Sequence, residues 1–269
     1  MLDSIEATSR LTEIAGVRIE LIKRGAGRPL LLLHPAIGIK PTDRVIDQLA
    51  QSFTVIVPTH PGFGRSELPR AMTTVDDLAY FYLDLMEALD LHDLVLAGIS
   101  FGGWIAAEIA IKSTERVSHL VLADAVGIKL GDREHRDIVD IFTTKQSDVD
   151  RFAYHDPGIA AVDHGSISDD EAQIMFRNRE ATALFAWSPY MYDPKLAGRL
   201  HRIRVPALVL WGASDRIALP DYGRAYSKLI AGARFELIEE AGHYPHLERP
   251  DLFSRQIVDF VSRASSHAR

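Results

Sequence analysis

The stretch Leu94-Val95-Leu96-Ala97-Gly98-Ile99-Ser100-Phe101-Gly102-Gly103 decides how the rest of the chain is interpreted. Its first four residues are apolar and typical of a buried strand, and an apolar helical segment, 104–111, follows it. Gly-x-Ser-x-Gly between a strand and a helix indicates a sharp turn that presents a serine hydroxyl, and glycines permit the strained backbone there. We therefore predict that Ser100 is a nucleophile at a helix N-terminus, where backbone N–H groups favour a developing anion.

The composition of the chain excludes several kinds of function. Its 269 residues, 47% hydrophobic and 25% charged, suit one large α/β domain with an insertion. The net charge of −7 argues against a nucleic acid or a membrane as partner. Without cysteine there is no disulfide or thiolate metal site, and no metal or cofactor motif is present in the sequence. Because the N-terminus is acidic and no apolar run is long enough for a membrane span, we expect a cytoplasmic protein. We expect it to be a monomer or a homodimer.

Strand and helix patterns alternate along most of the chain. Residues 10–14 and 17–22 alternate in polarity and predict an antiparallel hairpin. Later strands are continuous apolar runs, most of them separated by helical patterns, which predicts a mainly parallel, eight-stranded sheet flanked by helices. These strands are predicted at 29–33, 53–58, 94–97, 117–123, 206–211 and 234–239.

The alternation stops between 127 and 203, where the pattern is helical. An insertion placed after a strand of a parallel sheet lies over the edge of the sheet where ligands bind. We therefore predict a core, 1–126 and 204–269, and a helical cap, 127–203. The cap helices are predicted at 133–141, 169–187 and 194–201.

Ser100, Asp215 and His243 each follow directly after a predicted strand. Because the carboxyl ends of parallel strands meet at one edge, these residues can converge. A serine hydroxyl is a poor nucleophile until an imidazole takes its proton, and a carboxylate holds the imidazole in the required tautomer. We predict Ser100 as nucleophile, His243 as base and Asp215 as the orienting acid.

In five ordered segments the chain resembles the α/β-hydrolase superfamily over essentially its whole length. The resemblance implies that fold, a serine nucleophile and an oxyanion hole formed by the backbone N–H groups of Ala36 and Phe101. Two positions depart from the usual pattern, Pro35 where glycine is common and Thr59 where aspartate is common. The matching segments are His34-Pro35-Ala36, 61–66, 98–103, 211–215 and 242–250.

Two of these assignments have competitors. His246 lies close to His243, but the preceding glycine and the family pattern favour His243 as the base. Asp124 also ends a strand near the nucleophile, and some relatives take their acid from that position. Asp215 fits its own motif better.

The function that this set of residues predicts is hydrolysis of a small-molecule ester by a serine carboxylesterase. Carbon–carbon bond hydrolases of ring-cleavage products and cofactor-free perhydrolases use the same three residues. The former usually carry Asn before the nucleophile and Trp after the histidine, where this chain has Ile99 and Tyr244. A ligand-binding receptor of the same fold is the alternative from another class, because such receptors can retain the three residues.

The stretch 181–192 carries no charge and predicts an apolar pocket wall. Helical spacing would place Leu184, Trp187 and Met191 on one face. Such a wall favours uncharged esters with short to medium acyl chains. The alternative is that Arg177 or Arg179 faces the cavity and binds a charged substrate. The residues predicted to bind substrate are Ile37, Trp104, Trp187, Tyr190, Met191 and Tyr244.

Overall fold

The computed structural model describes residues 9–132, 134–160 and 167–266. Its strands are β1 (Arg10–Ile14), β2 (Val17–Arg24), β3 (Pro29–Leu33), β4 (Thr54–Pro58), β5 (Leu94–Ile99), β6 (Val117–Ala123), β7 (Ala207–Gly212) and β8 (Arg234–Ile238). They form one eight-stranded sheet in the order β1-β2-β4-β3-β5-β6-β7-β8. Strand β2 runs antiparallel to β1 and β4, and all strands from β3 to β8 pair in parallel. The predicted mainly parallel, eight-stranded sheet is confirmed.

Helices cover both faces of the sheet. They are α1 (Arg44–Leu49), α2 (Val75–Ala88), α3 (Phe101–Lys112), α4 (Gln146–Ala153), α5 (Asp169–Ala186), α6 (Pro220–Lys228), α7 (Pro245–Glu248) and α8 (Pro250–Ser266). Successive side chains of a strand point to opposite faces. Leu30 and Leu32 of β3 therefore join a core with α1 and α8, whereas Leu31 and Leu33 join one with α2 and α3. This double burial explains why the parallel strands are continuously apolar.

Helix α2 begins with a reciprocal pair of capping hydrogen bonds. The Thr74 side chain accepts a hydrogen bond from the Asp77 N–H, and the Asp77 carboxylate accepts one from the Thr74 N–H. Such capping contributes about 1 kcal/mol by satisfying amides that have no partner within the helix. The apolar stripe of α2 then packs against α3, the helix that follows the Gly-x-Ser-x-Gly turn.

The segment 127–203 between β6 and β7, called the insertion below, holds α4, α5 and two 3-10 helices, Pro157–Ala160 and Ala197–Arg202. Helix α5 was predicted and α4 was not. The 3-10 helix at 197–202 replaces the helix predicted at 194–201. The division into core and cap stays a prediction. Among the described residues, no helix is long and apolar enough to cross a membrane.

The helix predicted at 133–141 is wrong across the described residues 134–141, which form bends and an isolated β-bridge. Two aspartates explain the difference. The Asp137 carboxylate accepts from the Leu130 N–H at 3.0 Å, and the Asp140 carboxylate accepts from the Phe142 N–H at 3.0 Å. Aspartate side chains compete in this way with the hydrogen bonds of a helix.

Candidate active site

Ser100 lies in the turn between β5 and α3 with a strained backbone, φ 51° and ψ −111°. The neighbouring glycines are required because other backbone comes very close to them. A Cβ atom on Gly98 would lie 2.2 Å from the Gly102 carbonyl oxygen, and one on Gly102 would lie 2.2 Å from the Leu33 carbonyl oxygen. The turn therefore packs directly against the end of β3, which pairs with β5.

The side chains of Ser100, His243 and Asp215 form one hydrogen-bonded chain. His243 Nε2 lies 2.8 Å from Ser100 Oγ, and His243 Nδ1 lies 2.8 Å from Asp215 Oδ2. Because a carboxylate can only accept, Nδ1 carries the proton and Nε2 is left to accept from the serine hydroxyl. All three residues are buried, at 6%, 2% and 1% exposed. The structure thus brings together the three residues that the sequence analysis selected.

Asp215 is oriented by backbone amides as well as by His243. Its Oδ1 accepts from the Ile217 N–H at 2.8 Å and from the Ala218 N–H at 3.2 Å. The loop after β7 therefore holds the carboxylate in one orientation.

Asp124 lies beside the three hydrogen-bonded side chains, but its own hydrogen bond is to the backbone and not to His243. Its Oδ1 accepts from the Gly212 N–H at 2.8 Å, whereas His243 bonds to Asp215. Burial, and then the neighbouring charge of Asp215, raise the pKa of Asp124 well above its usual value. In the described chain, Asp124, Asp215 and His243 are the group whose ligand atoms are close enough for a metal, within 4.8 Å. Both nitrogens of His243 already have partners.

His246, the competitor for the role of base, is fully buried among aromatic rings. Neither ring nitrogen of His246 has a hydrogen-bond partner among the described residues, and burial lowers its pKa to about 3. Its ring lies 6.3 Å from that of Phe253 and 6.0 Å from that of Tyr244. The geometry therefore places His243, and not His246, against Ser100.

The two predicted oxyanion donors lie on neighbouring strand ends. Phe101 is the first residue of α3, so its N–H has no acceptor within the helix. Ala36 follows β3 in a turn closed by a 2.8 Å hydrogen bond from the Gly38 N–H to the Pro35 carbonyl oxygen. Strands β3 and β5 pair in parallel, which brings both donors to the edge of the sheet where Ser100 lies.

A buried pair of histidines supports the turn at Pro35 from the core side. His34 Nδ1 lies 2.7 Å from the Pro35 carbonyl oxygen, and His34 Nε2 accepts from the His60 N–H at 2.9 Å. His60 Nε2 lies 2.9 Å from the His34 carbonyl oxygen, so its Nδ1 accepts from the Tyr82 hydroxyl. These contacts need neutral rings, and burial lowers the pKa of His34 to about 4.

The insertion contacts the His243 loop through Glu248, which the sequence analysis missed. Glu248 Oε1 accepts from the N–H groups of His155 and Asp156 at 2.9 and 3.0 Å, and Oε2 accepts from the Gly242 N–H at 2.6 Å. The His243 N–H in turn donates to the carbonyl oxygen of residue 153 at 2.6 Å. The end of α4 is therefore fixed to the loop that carries His243.

Among the residues predicted to bind substrate, Tyr244 packs against His243, and Trp104 packs against the residue that follows Ser100. The Tyr244 ring is 5.1 Å from the His243 ring, and the buried Trp104 ring meets the Phe101 ring edge-on at 6.1 Å. Ile37 is 48% exposed on the turn that carries Ala36.

The predicted common face of Leu184, Trp187 and Met191 is wrong. Leu184 and Trp187 are 44% and 53% exposed, whereas Met191 is buried. The reason is that α5 ends at Ala186 and Met191 has a left-handed backbone, φ 57°, so helical spacing does not reach it.

The other aromatic residues of the insertion pack against one another. The Trp187 and Tyr190 rings lie 5.1 and 6.3 Å from the Phe142 ring. The Tyr190 hydroxyl donates to the Val139 carbonyl oxygen and accepts from the Ile141 N–H. Burial raises the pKa of Tyr190 to about 12. These contacts stabilise the insertion itself.

The two arginines of the alternative hypothesis are bound to backbone oxygens. Arg177 Nη2 donates to the Ser66 carbonyl oxygen at 2.9 Å, and Arg179 Nη2 donates to the Ile141 carbonyl oxygen at 3.2 Å. The Arg179 guanidinium also lies 5.3 Å from the centre of the Phe142 ring. Neither arginine makes a contact with Ser100 or His243 in the described structure.

Comparison with known proteins adds independent information. The chain is 29% identical to a 2-hydroxymuconate semialdehyde hydrolase of Pseudomonas sp. (strain CF600), with 94% of each chain covered. It is 26% identical to a 2-hydroxy-6-oxo-2,4-heptadienoate hydrolase of Pseudomonas putida, covering 94% of this chain and 96% of that one.

Solved structures show the same fold. A meta-cleavage product hydrolase from Pseudomonas fluorescens IP01 superposes with a TM-score of 0.76 at 21% identity, covering 96% of this chain and 99% of that one. The naproxen esterase of Bacillus subtilis superposes with a TM-score of 0.74 at 18% identity, covering 94% and 91%. The model of the alpha/beta hydrolase family matches residues 30–256. The chain therefore belongs to the alpha/beta hydrolase family.

Proposed function

We propose that this protein is a serine hydrolase that cleaves small, uncharged carboxylic esters through an acyl-enzyme at Ser100. The observation that carries the proposal is the hydrogen-bonded chain from Ser100 Oγ through His243 to Asp215. Its order is the one in which a carboxylate orients an imidazole and the imidazole takes the serine proton.

The reaction follows from these positions. Ser100 Oγ attacks the ester carbonyl carbon while His243 Nε2 takes the hydroxyl proton. The N–H groups of Ala36 and Phe101 donate to the oxyanion, an effect worth about 3 kcal/mol for each donor. The alkoxy group then leaves with the proton from His243, and an acyl-enzyme remains. Water, deprotonated by His243, hydrolyses it and releases the acid.

The preference for uncharged esters rests on the groups around the site. On the core side, Phe101 directly follows Ser100 in the chain, and the Trp104 ring packs edge-on against the Phe101 ring. The two arginines of the alternative hypothesis, Arg177 and Arg179, already donate to backbone oxygens. A charged acyl chain buried against apolar groups would lose its hydration without gaining a partner for its charge. Each buried CH₂ group of an uncharged chain, in contrast, contributes about 0.8 kcal/mol to binding. We expect short to medium acyl chains because the insertion is fixed to the loops that carry His243 and Ala36, which limits the space beside Ser100.

A second candidate function is hydrolysis of a carbon–carbon bond in a ring-cleavage product. It is favoured by the named activities of the Pseudomonas relatives. Against it stand Ile99 and Tyr244, where such enzymes usually carry Asn and Trp, and the absence of a free arginine at the described site for the carboxylate of a dienoate.

The test is a set of kcat/KM measurements on butyrate, decanoate and hemisuccinate esters and on a 2-hydroxy-6-oxo-dienoate, with the Ser100→Ala variant as control. We expect butyrate to exceed decanoate, and both to exceed hemisuccinate and the dienoate by at least about tenfold. A preference for the dienoate assigns carbon–carbon bond hydrolysis. A preference for the hemisuccinate contradicts the apolar site and makes an arginine of the insertion the specificity residue.

A further inference from the structure

Asn178 connects two loops of the core from a position in the insertion. It lies within α5 and is 6% exposed. Its Nδ2 donates to the Ile37 carbonyl oxygen at 3.1 Å, and its Oδ1 accepts from the Gly64 N–H at 2.8 Å. One amide thus joins α5 to the turn that carries Ala36 and to the loop after β4.

The turn 35–38 is held both by residues of the core and by one residue of the insertion. On the core side, the Pro35 carbonyl oxygen accepts from His34 Nδ1 at 2.7 Å and from the Gly38 N–H at 2.8 Å. On the insertion side, Asn178 holds the Ile37 carbonyl oxygen. The Ala36 N–H belongs to the same planar peptide as the Pro35 carbonyl group, so it turns with that group. Asn178 restrains the turn at the next carbonyl but one, that of Ile37.

The surroundings of Asn178 fit a specific contact. Asparagine is a poor helix former, so its place within an 18-residue helix is unfavourable unless its side chain has specific partners. A Cβ atom on Gly38 would lie 3.0 Å from Asn178 Nδ2, so the turn approaches closely because Gly38 has no side chain. A buried amide without these partners would be unfavourable, because its donor and acceptor would lose their bonds to water without replacement.

We propose that Asn178 is a positioning residue that couples the docking of α5 on the core to the placement of the Ala36 N–H. When α5 is docked, the turn 35–38 is held by residues of the core and by Asn178, and the oxyanion donor is in place. When α5 moves away, the Ile37 carbonyl oxygen and the Gly64 N–H lose their partner and the turn is released. The inference rests on the proposed function, because Ala36 matters only if an oxyanion forms.

The kinetic test compares two variants with a matched control. Asn178→Ala removes both hydrogen bonds, and Asn178→Asp keeps the acceptor for Gly64 but removes the donor to Ile37. The control, Asp170→Asn, removes an exposed ion pair between α5 and Arg65 of the core without touching the turn. With a butyrate ester we expect kcat to fall about tenfold in both Asn178 variants, with KM within twofold and the pH profile unchanged. The control should stay within twofold of the unmodified protein.

A fluorophosphonate gives a second kinetic reading, because its phosphoryl oxygen uses the same donors. The rate constant for labelling Ser100 should fall by the same factor as kcat. A rise in KM at constant kcat would overturn the inference, since Asn178 would then contact substrate. Unchanged kcat with a lowered unfolding temperature would also overturn it, because the role would be structural alone.

Hydrogen exchange of the turn separates this inference from the proposed function. Peptides that cover 34–39 should exchange at least about fivefold faster in Asn178→Asp than in Asp170→Asn. This reading needs no substrate. If the unmodified protein hydrolyses no ester and is not labelled by the fluorophosphonate, the proposed function is wrong. Hydrogen exchange then still tests whether Asn178 holds the turn 35–38. Equal exchange in the two variants overturns the coupling whatever the activity.

Discussion

The nucleophile turn between β5 and α3 is held by close contacts of its own backbone, whereas the insertion is joined to the loops of the core by side chains as well as by backbone hydrogen bonds. In the turn, Gly98 and Gly102 bring main-chain atoms so close that a single added Cβ atom would collide with a carbonyl oxygen. In the insertion, Asn178 makes the connection to the turn 35–38, and Glu248 of the core binds backbone amides at the end of α4. A change in the turn should therefore abolish the reaction, and a change in the insertion should adjust its rate.

The largest effect is expected from Ser100→Ala. It removes one hydroxyl and leaves every backbone contact of the turn, so hydrolysis should fall by at least about 10⁴-fold with the fold intact. The measurement is ester turnover together with fluorophosphonate labelling, and circular dichroism reports on folding. Burst kinetics in the folded variant would show that another residue is the nucleophile.

The next largest effect is expected from Asp215→Asn. An amide cannot hold the His243 tautomer that accepts the serine proton, so kcat should fall about 10³–10⁴-fold. The matched control is Asp124→Asn. One oxygen of Asp124 accepts from the Gly212 N–H, and the raised pKa of Asp124 favours its neutral form. An asparagine amide keeps that acceptor and is also neutral, so kcat should fall less than tenfold. If Asp124→Asn costs more than Asp215→Asn, the orienting acid is Asp124.

The core was predictable because its constraints are local. A strand buried on both faces must be continuously apolar, and a turn that packs against β3 must have glycine at 98 and 102. Ser100, Asp215 and His243 could be chosen because the ends of parallel strands converge. The sheet, α2 and the relative placement of these three residues therefore follow from patterns within short windows.

The insertion was less predictable because its structure depends on contacts that are distant in sequence. The apolar spacing of 133–141 suggested a helix, but Asp137 and Asp140 bind backbone amides instead. Asn178 gave only a weak signal, a polar and poor helix-forming residue inside a long helix. Its partners, Ile37 and Gly64, are more than a hundred residues away, so no local pattern indicates them.

A smaller effect concerns stability in acid, which tests the core. Burial lowers the pKa of His34 to about 4 and that of His246 to about 3, so both are neutral in the fold at neutral pH. The unfolded chain takes up these protons below pH ~6.5. The free energy of unfolding should therefore be highest above that pH and fall as the pH drops towards 4, by about 1.4 kcal/mol per pH unit for each histidine. Urea unfolding at several pH values measures this slope.

His246→Leu should remove the contribution of His246 to that slope, because leucine takes up no proton. The change breaks no side-chain hydrogen bond in the described structure, because the ring has no hydrogen-bond partner there. We expect the slope between pH 6 and 4 to decrease by about 1.4 kcal/mol per pH unit. The control is His201→Gln, at an exposed position, which should leave the slope unchanged. An unaltered slope in His246→Leu would show that His246 takes up its proton in the folded protein.

The smallest effect is expected at Trp187, and it bears directly on the comparison between core and insertion. Its ring is 53% exposed and packs edge-on against Phe142, so removing it should leave the apolar groups around Ser100 in place. We expect Trp187→Ala to change kcat/KM for a butyrate ester by less than twofold. The matched change on the core side is Tyr244→Leu. Because the Tyr244 ring lies 5.1 Å from that of His243, this change should lower kcat/KM about tenfold. A tenfold rise in KM in Trp187→Ala would reverse the comparison, because the insertion would then contribute a binding contact as large as that of the core.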